Sequence, residues 1–158
     1  MQVYLVQHGE AKAEAEDPAR PLTDRGREEV RRVARHAAAV KLQVAEIRHS
    51  GRLRARLTAE ILAEHLSPPG GTREIEGLGP TDDPGKARRE IEAAQDSVML
   101  VGHLPHLGRL ASSLLAGDPG REIIRFRMGA IVCLAQVEGR WLLQWILTPE
   151  LVRPEPPA

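Results

Sequence analysis

The sequence predicts an α/β fold, a three-layer sandwich in which a mostly parallel central sheet lies between helices and is closed by a C-terminal hairpin. Three observations carry this expectation. Short apolar runs alternate with amphipathic helical stretches as far as Leu115, and clusters of Gly and Pro punctuate the units. After those units the pattern changes to two neighbouring apolar runs with only a Gly-containing turn between them.

The elements follow in order. Val3 to Val6 reads as a buried first strand ending at Gln7-His8-Gly9, and residues 10 to 22, rich in charge and proline, read as an exposed loop. Thr23 can cap a helix reaching about Val40, because Val30, Val33, Ala34, Ala37 and Ala38 recur at spacings of three and four. Val44 to Arg48 reads as a second strand, and His49-Ser50-Gly51 turns into a helix bearing Leu53, Leu57, Ile61 and Leu62 on one side, with Ser50 placed to cap it. Pro68 to Gly71 ends that unit, Thr72 to Ile75 reads as a short strand, and Thr81-Asp82-Asp83-Pro84 opens a helix through Ala94. Ser97 to Val101 is a further strand, followed by Gly102-His103-Leu104-Pro105-His106 and a helix carrying Leu107, Leu110, Ala111, Leu114 and Leu115. Ala130 to Val137 and Trp141 to Leu147 form the hairpin. One domain over residues 1–150 and a Pro-rich tail over 151–158 are expected, with fraying from Pro149 onward.

Composition narrows the function classes. Of 158 residues, 22 are Lys or Arg and 22 are Asp or Glu, so no overall field draws in nucleic acid or an anionic membrane, and any anion must be gripped by a local cluster. Aromatic residues are 3%, too few for the stacking platforms of single-strand binders. Apolar runs fall far short of the roughly 20 residues that span a bilayer, and the N-terminus lacks export features, so the cytoplasm is the expected compartment. The single Cys133, between Val132 and Leu134, excludes an internal disulfide and reads as an inert core thiol.

In open α/β sheets, ligands bind beyond the carboxyl ends of the strands. Three of the expected strands end there in Gln7-His8-Gly9, in Ser50 through Arg54, and in His103. Two imidazoles and a guanidinium meeting at one crevice suit phosphoryl transfer: a neutral imidazole attacks phosphorus, and the other groups donate hydrogen bonds to its oxygens. A metal site from His8, His103, His106 and Glu10 is the rival arrangement, but no short ligand motif supports it. His49 and His106 adjoin the crevice and read equally well as structural residues, whereas His36 and His65 read as surface residues.

At these residues the chain resembles the histidine phosphatase superfamily, with its phosphoglycerate-mutase-like fold, and within it the small SixA-type phosphohistidine phosphatase branch. The resemblance rests on Val3 through Ala11, Arg20-Pro21-Leu22-Thr23 with Gly26, Ser50 through Ala55, Thr58 through Leu62, and Val101 through Pro105. It implies a nucleophile at His8, phosphate binding by Arg54 and His103 with the Leu104 amide as a further donor, and a covalent phosphohistidine hydrolysed by water. It implies no cofactor and no metal, a histidine-phosphorylated protein such as a phosphotransfer domain as partner, and inorganic phosphate as product.

Two positions depart from the family pattern. Gln7 stands where the family has arginine and is expected to remain a weaker phosphate contact, and losing one donor to a developing phosphoryl charge costs on the order of 10²–10³ in rate; Arg48, Arg52 or Arg109 is expected to supply the missing charge. Gly51 stands where the family often has proline, which is expected to loosen the turn while leaving Arg54 in register. Candidate acids or accessory groups are Glu10, Ser50, Glu76, Asp82 and Asp83. Two further readings stay open: a phosphate- or phosphoprotein-binding module weakened at Gln7, and a phosphatase for small phosphomonoesters.

Overall fold

The computed structural model describes residues 1–154 of the chain. Its strands are β1 (Gln2–Gln7), β2 (Glu46–His49), β3 (Thr72–Glu74), β4 (Val98–Gly102), β5 (Ile131–Val137) and β6 (Arg140–Leu147). The helices are α1 (Asp24–Ala39), α2 (Leu53–Leu66), α3 (Pro84–Ala93) and α4 (His106–Ala116). All six strands join one sheet in the order β3-β2-β4-β1-β5-β6.

The sheet is mixed, which corrects the expectation of a mostly parallel one. β3, β2, β4 and β1 run parallel, but β5 pairs antiparallel with β1 and β6 antiparallel with β5. The reason is topological. The hairpin returns along the free edge of β1 without a crossover helix, and a strand arriving that way runs opposite to its neighbour. Glu138 and Gly139, with φ of 51° and 75°, make its two-residue turn, both in the left-handed region that matches the twist of the flanking strands.

Alternation along β1 divides the core. Tyr4 and Val6 point to the layer of α1 and α2, where they meet Val30, Val33, Ala34, Ala55, Ala59 and Leu62. Val3 and Leu5 point to the layer of α3 and α4, among Ala87, Ile91, Leu107, Leu110 and Ala111. Helices therefore cover both faces, as the amphipathic spacings require. No helix among the described residues is long and apolar enough to cross a membrane.

Three local expectations change. Ser50 does not cap α2; Arg52 takes that place with extended backbone and no side-chain cap bond, because the Ser50 hydroxyl is drawn to His103 instead. The segment after β6 does not fray at once: Pro149–Leu151 forms a 3-10 turn, and Val152 is buried against the α1 and α2 layer. Apolar burial holds this piece although its prolines suggest a free tail; the expectation for residues 155–158 lies outside the described residues. Gly51 has φ of 87°, a conformation closed to proline, so this turn is differently built from a proline turn rather than a looser version of one.

The start of α1 fixes the loop after β1. Thr23 Oγ1 accepts from the Gly26 N–H, and the Thr23 N–H donates to the Glu10 carbonyl. Gly26 lies so close to that loop that an added Cβ would sit 2.2 Å from the Glu10 carbonyl oxygen. Gly26→Ala is therefore expected to lower stability by about 1–3 kcal/mol, read as a lower urea midpoint with an unchanged m value.

Candidate active site

Strand register brings the two histidines together. Gln7 lies opposite Gly102 in the parallel β1–β4 pair, and the His8 N–H donates to the Gly102 carbonyl, so the next residues, His8 and His103, leave adjacent strands side by side. Their ring centroids are 5.1 Å apart at 52°. On the other side of β4, His49 lies opposite Val101, which carries Ser50 to His103, and Ser50 Oγ is 2.7 Å from His103 Nε2. The crevice forms where three parallel strands end together.

His8 Nδ1 is 2.7 Å from the Gly9 carbonyl oxygen. A carbonyl only accepts, so Nδ1 carries the proton and Nε2 keeps its lone pair. Burial lowers the pKa of His8, the bond to Gly9 opposes that shift, and the charges of Arg54 and Arg20 add to it. His103, 2% exposed, is pushed down to about 3, first by burial and then by His8, Arg54, Arg52 and His106. Both rings are therefore neutral near pH 7.

Arg54 stands in the first turn of α2. Its Nε is buried with no internal partner, and burial together with Arg20 and Arg52 lowers its pKa. Thr58, one turn further on and fully buried, accepts from the Gly9 N–H at 3.0 Å and donates to the Arg54 carbonyl at 2.7 Å. One hydroxyl thus locks the His8–Gly9 turn to the helix that carries Arg54. A half-buried guanidinium whose Nε has no internal partner, beside neutral imidazoles, makes a site short of negative charge, and a tetrahedral dianion matches it.

The structure also sorts the other candidates. Gln7, half-buried, lines a cavity with Leu104, Arg125, Phe126 and Arg127. Arg48 cannot stand in for the missing arginine, because Glu46 and Glu90 hold its guanidinium. Arg109 lies beyond Leu104 in a groove along α4, whereas Arg52 does act on His103 and Arg54. The charge that residue spacing did not reveal is Arg20. It stands at φ of 50°, with its Nε donating to the Lys12 carbonyl at 3.0 Å, and its charge acts on both His8 and Arg54. The Glu10 carboxylate accepts from Thr23 Oγ1 at 2.8 Å, and Glu76 is paired with Lys86 at 2.9 Å. Glu76, Asp82 and Asp83 line a cleft of about 620 Å³ with Ser50, Gly51 and Arg52. His106 is fully buried, and burial lowers its pKa. Among the described residues no group of three His, Cys, Asp or Glu side chains is placed to hold a metal ion.

Comparison with known proteins places this arrangement in a class. Residues 3–78 match the family model described as histidine phosphatase superfamily (branch 1), and the chain belongs to the histidine phosphatase superfamily. Within it, the chain is 30% identical to phosphohistidine phosphatase SixA of Escherichia coli (strain K12), with 94% of each chain covered. A solved structure of the protein histidine phosphatase SixA complexed with tungstate superposes with a TM-score of 0.82 at 30% identity, covering 94% of this chain and 97% of that one. A putative phosphohistidine phosphatase SixA from Agrobacterium tumefaciens, at 24% identity and a TM-score of 0.76 over 94% of this chain and 97% of that one, shares the fold.

The depressed histidine pKa values have a stability consequence. A histidine whose folded pKa lies below its unfolded value near 6.5 contributes stability that is complete above the unfolded pKa and is lost as pH falls toward the folded one. For His103 that window runs from about 6.5 down to about 3. Nitrogen NMR is expected to show His103 still neutral on acidification from about pH 7 to about pH 5, with His8 as the Nδ1–H tautomer at the neutral end of that range, while the denaturation midpoint falls.

Proposed function

We propose that this chain is a phosphohistidine phosphatase that removes phosphate from a phosphorylated histidine on another protein through a covalent intermediate at His8. The observation that carries the reading is the His8 ring, whose Nδ1–H is held by the Gly9 carbonyl so that Nε2 stands free beside His103. Relatives support it: the Escherichia coli relative is named a phosphohistidine phosphatase, and a related structure holds tungstate, a tetrahedral oxyanion like phosphate.

In the first step Nε2 of His8 attacks phosphorus in line, a new P–N bond forms, and the substrate's P–N bond breaks. The departing imidazole keeps the proton on its distant nitrogen and leaves neutral, so no general acid is required. That suits a site whose nearby carboxylates are engaged, Glu10 with Thr23 and Glu76 with Lys86. The phosphorylated His8 ring is cationic because Nδ1 retains its proton, and the Gly9 carbonyl stabilises that charge. Water then attacks phosphorus, the P–N bond at His8 breaks, and inorganic phosphate leaves. Arg54 and His103 bind the phosphoryl oxygens, the Leu104 amide adds a donor, and Arg20, together with Arg52, supplies the positive charge absent at Gln7. A small phosphomonoester would need an acid for its alkoxide, which counts against that class of substrate. Gln7 favours one other reading, a pocket that binds a phosphorylated partner without turnover; it predicts stabilisation by phosphate and no hydrolysis of any donor.

Phosphate release from a histidine-phosphorylated phosphotransfer domain is expected to vanish in His8→Ala, along with acid-labile phosphate on the protein; an active His8→Ala variant overturns the assignment. The acid limb of the kcat/KM profile is expected below pH 6.5, since burial lowers the His8 pKa. Arg20→Gln removes a cation that lowers that pKa, so the limb moves to higher pH while kcat/KM falls on the order of 10²-fold. A limb that stays in place would separate Arg20 from the site.

A further inference from the structure

Two cavities, of about 490 and 540 Å³, share Leu104, Arg125 and Phe126 and together form one groove leading away from the catalytic crevice. At its near end is Gln7, the residue before His8, and at its far end are Arg109 and Ser112 on α4. Leu104, Pro105, Ile124 and Phe126 line it with apolar surface. The whole flank is pinned beside the site, because the Gly129 N–H donates to the Gln7 carbonyl at 2.9 Å.

Charge gives the groove a sign. Arg127 is neutralised by Glu29 and Glu150, whereas Arg109 and Arg125 are exposed and have no ion-pair partner among the described residues. Among the described residues Glu122 is the one carboxylate that lines the groove. The Ser112 hydroxyl, 1% exposed and also lining it, has no internal hydrogen-bond partner. The cleft on the other side of the crevice has the opposite sign, with Glu74, Glu76, Asp82 and Asp83 against Arg52 and Lys86.

We propose that the groove from Gln7 to Arg109 is a docking subsite for the substrate protein, and that it takes an acidic and apolar polypeptide face next to the phosphorylated histidine. This rests on the phosphohistidine phosphatase reading and adds to it the chemistry of the partner's flank. A small phosphorylated molecule would not extend this far from His8, so the groove matters only for a macromolecular substrate. Gln7 and Leu104, which line the groove, are the chain neighbours of His8 and His103, so a face bound there lies beside the reacting phosphorus. The opposed sign of the two flanks orients the partner, with like-charge repulsion acting against the reversed pose.

The test uses two peptides that carry a non-hydrolysable triazole phosphonate in place of phosphohistidine and differ only in whether the flanking residues pair leucine with glutamate or with lysine. The wild-type chain is expected to bind the glutamate peptide about tenfold more tightly, and the double variant Arg109→Glu with Arg125→Glu to lose or reverse that preference. Aryl phosphate hydrolysis is expected to be unchanged in the double variant, since neither arginine belongs to the phosphate site. Equal affinity for the two peptides, or a preference that survives the double substitution, overturns the docking assignment. Failure of the phosphatase reading has a different signature: no phosphate is released from any donor by the wild-type chain, while the flank preference and its loss in the double variant persist.

Discussion

A single buried hydroxyl ties the chemistry to the scaffold. Thr58 Oγ1 takes the Gly9 N–H and gives its own proton to the Arg54 carbonyl, so the turn that orients His8 and the helix turn that carries Arg54 cannot shift independently. Without this link, Gly9 would bury a backbone donor with no partner, at a cost of about 1–3 kcal/mol. The β1–β4 register does the same for His103, and the Ser50 bond adds β2. Catalytic geometry of this kind needs side chains held to within about 0.5 Å, and here the holding is done by backbone ladders and one threonine.

Electrostatics follows from that placement. Two imidazoles sit under at least three guanidinium groups, and neither is protonated at neutral pH because burial and the neighbouring cations act in the same direction. Positive charge is kept on groups that cannot lose it, and the lone pair is kept on His8 Nε2. Gln7 leaves a smaller share of that charge on β1 and a larger share on the irregular segment around Arg20.

Much of this was legible in the sequence because it is local. Strands that stop just before His8 and His103, the Thr23 cap and the glycine turn of the hairpin each come from a few adjacent residues, and the structure has them where periodicity and capping chemistry put them. What escaped is what depends on distant pairing. The antiparallel docking of β5 on β1 is decided by the return path of the chain after α4, for which no short pattern exists. Ser50 reads as a cap for α2 in the local sequence, and its bond to His103 comes from the β2–β4 register. Arg20 sits far from His8 in the chain, in a segment that reads as solvent loop, and Arg48 looks near the site until Glu46 and Glu90 claim it.

The position of β1 in the sheet has one more consequence. It lies between β4 and β5, inside the sheet, with both faces covered. Its amides belong to the class that exchanges with solvent only when a whole domain opens, while edge segments such as the short, exposed β3 open far more often. His8 is thus mounted beside the part of the molecule with the least freedom to open locally.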